Sequence, residues 1–281
     1  METVFFKGFG LIGSSLARAI RAAHPAVRIV ASDPNPVSRA AGELVDEWQA
    51  GFAEVEAATV VVLASPVTQI CADLRQLATL PLAKGTIVTD VGSTKQGVLA
   101  AAQTLLARGI AFVGGHPMAG APQTGAANGR ADLFSGARFF QVVPAGQEAA
   151  AARLRTLFAG CGCQFEQLTA AEHDRLVALL SHLPHLLAST LMNQAAESLP
   201  PDQLQAAAGG FRSTTRIAAA DPAMWTAIME ENTPAISAAL AQYQEELARI
   251  QAALQQKDWA SLNELFAKGQ ANHRRIERKV P

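Results

Sequence analysis

The stretch VFFKGFGLIGSSLA, Val4 to Ala17, decides the fold. Its β-branched and aromatic run reads as a strand, three glycines turn the chain, and small helix-tolerant residues follow. Gly8, Gly10 and Gly13 fit G-x-G-x-x-G in the context that gives the pattern meaning, a strand before it and a helix after it. Gly8 then permits a tight turn, Gly10 lets backbone amides approach a pyrophosphate, and Gly13 allows close helix–strand packing. Leu11 and Ile12 share that cofactor-binding turn, because the helix N-terminus directs N–H groups and partial positive charge at phosphates.

Twenty residues beyond Gly13, the segment RIVASD ends in Asp33, placed to accept hydrogen bonds from an adenosine ribose. A carboxylate there repels a 2′-phosphate, and no arginine follows until Arg39, so NAD is expected rather than NADP. The bland alternative is a glycine turn and a surface aspartate without a ligand.

Short apolar runs alternate with helical stretches from residue 3 to about 167. The expected strands are Val4–Lys7, Arg28–Ser32, Thr59–Ala64, Thr86–Asp90, Ala111–Val113, Arg138–Val143 and Gln164–Glu166. This alternation predicts an α/β, Rossmann-type doubly wound parallel sheet, an NAD-binding domain over residues 1–168. From residue 169 to 281 alanine, leucine, glutamine and glutamate dominate, predicting an all-helical domain with helices over Ala170–Leu199, Pro222–Gln256 and Trp259–Lys279. Asp221-Pro222 and Asp258 suit helix starts. The apolar stripe of Pro234–Gln256 needs a partner surface, part of which a second subunit can supply.

Composition narrows the function classes. The chain has 281 residues, 49% hydrophobic and 17% charged, with a net charge of −1, so it offers no cationic footprint for nucleic acid. The one basic cluster, His273–Lys279, suits the negative end of a final helix. No apolar run reaches the roughly 18 to 20 residues that span a bilayer, and an amino terminus with Glu2 ahead of a strand is not a secretory signal. A cytoplasmic protein is expected. Cys71, Cys161 and Cys163 form no paired motif, so neither disulfides nor a metal are expected.

In an open α/β sheet, ligands lie at the carboxyl ends of strands. Three loops there stand out. Ser65 and Pro66 line the cofactor; Ser93, in DVGSTK, suits either a helix cap or chemistry. His116, held between glycines and a proline in VGGHPMAG, is the leading general base. His173, His182 and His185 cluster in the helical part, suited to an anionic substrate or to structural hydrogen bonds. In GGFRSTTRIAAADPAMW, Gly209 accompanies Arg212 and Arg216, and an arginine buried among alanines and threonines needs an anion or a glutamate.

Taken together, GFGLIGSSLA, DVGSTK, GGHPMAG, SHLPH and GGFRSTTRIAAADPAMW resemble, in order and spacing, the prephenate and arogenate dehydrogenases of tyrosine biosynthesis. The resemblance implies an NAD-dependent oxidative decarboxylation with a small-molecule substrate. It gives His116 the deprotonation of the C4 hydroxyl and Ser93 hydrogen bonds to that histidine and to substrate. His185, Arg216 and Gly209 fall on the substrate side, Arg216 against a carboxylate, and the helical domain forms a homodimer. Two positions depart from the family pattern. Ala121-Pro122-Gln123 stands where a glutamate or another polar residue is frequent, and Ser213 where an aspartate is frequent. Both bear on the choice between a keto and an amino side chain, which stays open. The chain is expected to leave no room for a fused mutase or regulatory domain. One alternative is a β-hydroxyacid dehydrogenase or imine reductase, although residues 169–256 lack the lysine that the hydroxyacid group uses. The other is a non-catalytic dinucleotide sensor.

Overall fold

The computed structural model describes residues 2–121 and 123–277. Pro122, one of the departures named above, and the end of the expected last helix lie outside them. The chain forms two compact units, one reaching Thr233 and one starting at Pro234.

The first unit is built on eight strands: β1 (Thr3–Lys7), β2 (Arg28–Ser32), β3 (Glu47–Trp48), β4 (Val60–Leu63), β5 (Ile87–Asp90), β6 (Ala111–Pro117), β7 (Arg138–Val142) and β8 (Gln164–Gln167). They form one sheet in the order β3-β2-β1-β4-β5-β6-β7-β8. All neighbours are parallel except β6 and β7. The unexpected strand, β3, is a two-residue edge pairing too short for a periodic signal. Between strands run α1 (Leu11–Ala23), α2 (Val67–Leu77), α3 (Gln96–Ala107) and α4 (Glu148–Leu157). Successive strand residues face opposite sides, so Val4 and Phe6 join Leu16, Ile20 and Leu154 in one core, while Phe5 joins Ile70, Leu74 and Val98 in the other. Strand order reverses between β1 and β4, which opens a crevice at the ends of those strands.

After β8 come α5 (Ala170–Val177), a π-helical turn (Ala178–His182) and α6 (Leu183–Ser198). The expected helix over Ala170–Leu199 is thus interrupted. Within this 29-residue stretch an 18-residue window reaches a mean hydropathy of 1.2, long and apolar enough to cross a membrane by length and composition alone. The stretch nonetheless buries the polar His173, Asp174, His182 and His185 within the protein. Then follow α7 (Pro201–Leu204), α8 (Gly209–Thr215), a turn at Arg216–Ala219 and α9 (Pro222–Glu231). Asp221 caps α9 as expected, accepting the Ala223 N–H at 2.8 Å.

The expected helix over Pro222–Gln256 is two helices. Asn232 leaves helical geometry, with φ −120° and ψ 23°, and its buried amide is held by tertiary hydrogen bonds. The second unit, from Pro234, holds α10 (Thr233–Gln256) beyond its first residue and α11 (Trp259–Glu277), the latter capped by Asp258, which accepts the Ser261 N–H at 3.0 Å. Leu247, Leu254, Trp259 and Phe266 are exposed on these helices.

Candidate active site

The glycine turn sits where the strand order reverses. Gly8 has φ +88°, and a Cβ there would lie 2.6 Å from the Ala64 carbonyl carbon, so only glycine lets β1 leave beside β4. A Cβ on Gly10 would meet nothing within 4 Å, which leaves room for a phosphate against the backbone. The first intrahelical bond of α1 runs from the Ser14 N–H to the Gly10 carbonyl, so the Leu11, Ile12 and Gly13 amides precede it. No acidic residue occupies that first turn. These features fit a dinucleotide pyrophosphate.

Asp33, just past β2, accepts the Phe9 N–H at 2.5 Å and the Asn35 N–H at 2.7 Å, which fixes its carboxylate against the glycine turn. Ser65 lies two residues past the neighbouring strand β4 and donates to the Lys7 carbonyl and the Asp73 carboxylate at 3.3 and 3.2 Å. Pro66 beside it is exposed at the start of α2.

The loop between β5 and α3 is pinned from below. Buried Asp90 pairs with the buried Lys95 ammonium and accepts the Gly92 and Gly115 N–H groups at 2.8 and 3.2 Å. Ser93 lies half-buried on this loop and, among the described residues, makes no hydrogen bond. It does not cap α3. Asp174 does so, accepting the Lys95 and Gln96 N–H groups at 2.7 and 2.8 Å.

The expected loop bearing His116 is a strand. Gly114 to Pro117 continue β6 as antiparallel partners of β7, with His116 opposite Phe140. A Cβ on Gly115 would lie 2.5 Å from the Asp90 carbonyl oxygen, so this strand passes β5 too closely for any side chain. His116 is half-buried, and its Nδ1 lies 2.8 Å from Nε2 of His173. His173 Nδ1 in turn lies 2.8 Å from Asp174 Oδ1. Both residues lie in the first two turns of α5, whose start is set by reciprocal bonds between Thr169 and Glu172.

Asn232 continues this network, donating to the Asp174 carbonyl at 2.8 Å and meeting His182 Nδ1 at 3.2 Å. His185 stacks flat on Trp225, with ring centroids 3.7 Å apart and planes 3° apart, and His182 meets the same indole edge-on. Among the described residues, His185 Nδ1 and Trp225 Nε1 are buried without a hydrogen-bond partner. Their free polar atoms suit a ligand that carries its own donors and acceptors.

Burial dominates the charge states. Loss of water, then the neighbouring His173 and the Lys95 cation, push the His116 imidazole well below its ordinary range. Burial lowers His173 against the pull of Asp174, brings His182 to about 4, and lowers His185. Burial works to raise the Asp174 carboxyl, but hydrogen bonds from His173 and from the Gln96 and Lys95 amides outweigh it, so the group lies low and stays ionised. The site therefore presents neutral imidazoles around a buried carboxylate, which suits proton abstraction.

Arg216 corrects the expectation of a buried guanidinium. It is exposed on a turn that packs against α6, and among the described residues it has no ion pair. Arg212 is exposed too and donates to the Ala207 carbonyl at 2.8 Å. Gly209 is exposed at the start of α8. A separate depression of about 490 Å³, lined by Met192, Leu204, Phe211 and Arg212 among others, contains none of the histidines. Sequence reading grouped His173 with the other histidines but could not pair it with His116, 57 residues away. It missed Asp174 altogether. The adjacent His-Asp just inside a T-x-x-E start was the available signal.

Residues 16–167 match the nucleotide-binding domain model of prephenate dehydrogenase, and residues 169–268 match the dimerization domain model of the same family. A prephenate dehydrogenase of Bacillus subtilis is 35% identical over 274 residues, which cover 94% of this chain and 73% of that protein. Among solved structures, prephenate dehydrogenase from Aquifex aeolicus, in complex with hydroxyphenyl propionate and NAD+, has a TM-score of 0.89 at 27% identity and covers 98% of both chains. An arogenate dehydrogenase from Synechocystis has a TM-score of 0.83 at 26% identity, covering 98% of this chain and 99% of that one.

Proposed function

This chain belongs to the prephenate dehydrogenase family, and on that premise we propose that it oxidatively decarboxylates prephenate or arogenate with NAD, His116 acting as the base. The observation that carries this reading is the His116 imidazole engaged at Nδ1 by His173 at 2.8 Å, beside the Ser93 loop, with burial holding its pKa well below the ordinary range. Gly8, Gly10, Leu11, Ile12 and Gly13 hold the pyrophosphate, Asp33 the adenosine ribose, and Ser65 and Pro66 line the same crevice. When bound, NAD supplies the hydride acceptor. His116 takes the proton of the C4 hydroxyl at its remaining ring nitrogen, Nε2. The ring carboxylate leaves as carbon dioxide, and its bonding electrons complete the aromatic ring. Ser93 orients the hydroxyl, and Arg216, exposed and without an ion pair among the described residues, binds a substrate carboxylate. His185, held against Trp225, borders the substrate, with Gly209 on the same side.

Residues 1–168 serve as the nucleotide-binding domain and 169–281 as the helical substrate domain. The exposed Leu247, Leu254, Trp259 and Phe266 support a homodimer formed through the helical part. The free Cys71, Cys161 and Cys163 suit the reducing cytoplasm.

The test is NADH formation by the purified protein, with prephenate and arogenate compared side by side. Turnover of either supports the assignment, and their ratio gives the preference between the keto and the amino side chain. Silence with both overturns it. His116→Ala is expected to lower kcat by about 10²- to 10⁴-fold with NAD binding retained. Unchanged turnover removes His116 from the role of base.

A further inference from the structure

We infer that His173 and Asp174 fix the tautomer of His116, and that they are positioning residues for the proton abstraction. The inference rests on the reading of His116 as base. Its logic starts at Asp174, whose Oδ1 receives the Lys95 N–H and Oδ2 the Gln96 N–H. Backbone amides only donate, so both oxygens act as acceptors, and these bonds, with the one to His173, hold the group low and keep it a carboxylate. The hydrogen between Asp174 Oδ1 and His173 Nδ1 therefore sits on His173. A neutral His173 then carries its lone pair on Nε2. That atom faces His116 Nδ1 at 2.8 Å, so the hydrogen of this second contact sits on His116. His116 is left with a lone pair on Nε2, the nitrogen that faces no described partner, and can accept a proton there. Reversing the chain would put the hydrogen on Nε2 and remove the base.

The same carboxylate reaches further. By holding the Lys95 and Gln96 amides it also anchors the end of the loop that carries Ser93. One buried group thereby sets both the protonation pattern of the base and the loop that presents the serine. Asn232, donating to the Asp174 carbonyl, closes the arrangement from α9.

The direct test uses the wild-type protein. Ring nitrogen-15 shifts of His116 are expected to show a protonated Nδ1 and a bare Nε2, and the opposite tautomer overturns the inference. The kinetic test compares His173→Phe, which removes both ring nitrogens, with His173→Gln, whose amide oxygen can still accept from His116. His173→Phe is expected to lower kcat by about 10²-fold with the prephenate KM within about threefold, and His173→Gln to recover most of that loss. Placed in His116→Ala, His173→Phe is expected to cost nothing further, because the two residues act as one unit. A folded His173→Phe protein with wild-type kcat, or a loss that adds in full to that of His116→Ala, overturns the inference. Wild-type turnover in His116→Ala alone instead overturns the assignment of the base, whatever the tautomer.

Discussion

The Asp174 carboxylate caps a helix that starts 78 residues before it, taking the Gln96 and Lys95 amides at 2.8 and 2.7 Å. A cap on an exposed helix contributes about 1 kcal/mol, but this one is buried, ionised and shared with His173. Asp174→Ala is therefore expected to destabilise the protein by about 3 kcal/mol, measured by denaturant unfolding. Ser93→Ala removes no hydrogen bond among the described residues and is expected to change stability by less than about 0.5 kcal/mol while lowering kcat. A large stability loss in Ser93→Ala would return that serine to a structural role.

Acid should unfold this protein early. His116, His173, His182 and His185 all have pKa values held down by burial, His182 at about 4 against an ordinary 6.5. Between those values the unfolded chain binds more protons than the native one, so unfolding free energy rises with pH. Their contribution is complete above about pH 6.5 and fades as pH falls toward 4. Asp174, lowered in the native state, adds a loss of the same sign at still lower pH. Denaturant midpoints are expected to hold steady from pH 8 to about 7 and then to drop steadily. A midpoint unchanged down to about pH 5 would contradict the buried neutral histidines.

Local chemistry made most of the fold legible. The glycine turn and the period-two apolar runs lie within single elements, so Val4–Lys7 and Gly8–Gly13 announced the sheet and its cofactor edge. The strand that carries His116 escaped because Gly114-Gly115-His116-Pro117 has little strand propensity of its own, and pairing with β7 recruits it. The links from His116 to His173 and from Lys95 to Asp174 span 57 and 79 residues and leave no local pattern. Arg216 misled because its apolar neighbours suggested burial, whereas its turn leaves the side chain in solvent. The break at Asn232 likewise depends on distant partners, the Asp174 carbonyl and His182.

Two glycines of the same turn should respond oppositely. Gly8→Ala forces a Cβ 2.6 Å from the backbone of Ala64 and is expected to cost folding stability outright. Gly10 has φ −79° and open space around its Cβ position, so Gly10→Ala is expected to fold as well as wild type. The added methyl group occupies the room proposed for the pyrophosphate, and NAD affinity is expected to fall by about tenfold or more. Titration of NAD into both proteins, alongside their melting curves, reads this directly. Tight NAD binding by Gly10→Ala would move the phosphates elsewhere.

Arg216 offers the clearest separation of binding from folding. It is exposed, and among the described residues it pairs with no acid, so its removal breaks no ion pair of the described structure. An arginine kept for a substrate carboxylate supplies a charge-assisted interaction that acts on bound substrate and transition state alike. Arg216→Ala is therefore expected to raise the prephenate KM by about tenfold or more, with kcat within about threefold and thermal stability unchanged. Arg216→Lys should recover only part of the affinity, because a point charge replaces a two-pronged donor. An unchanged KM would take Arg216 out of the substrate site and leave the carboxylate to another cation.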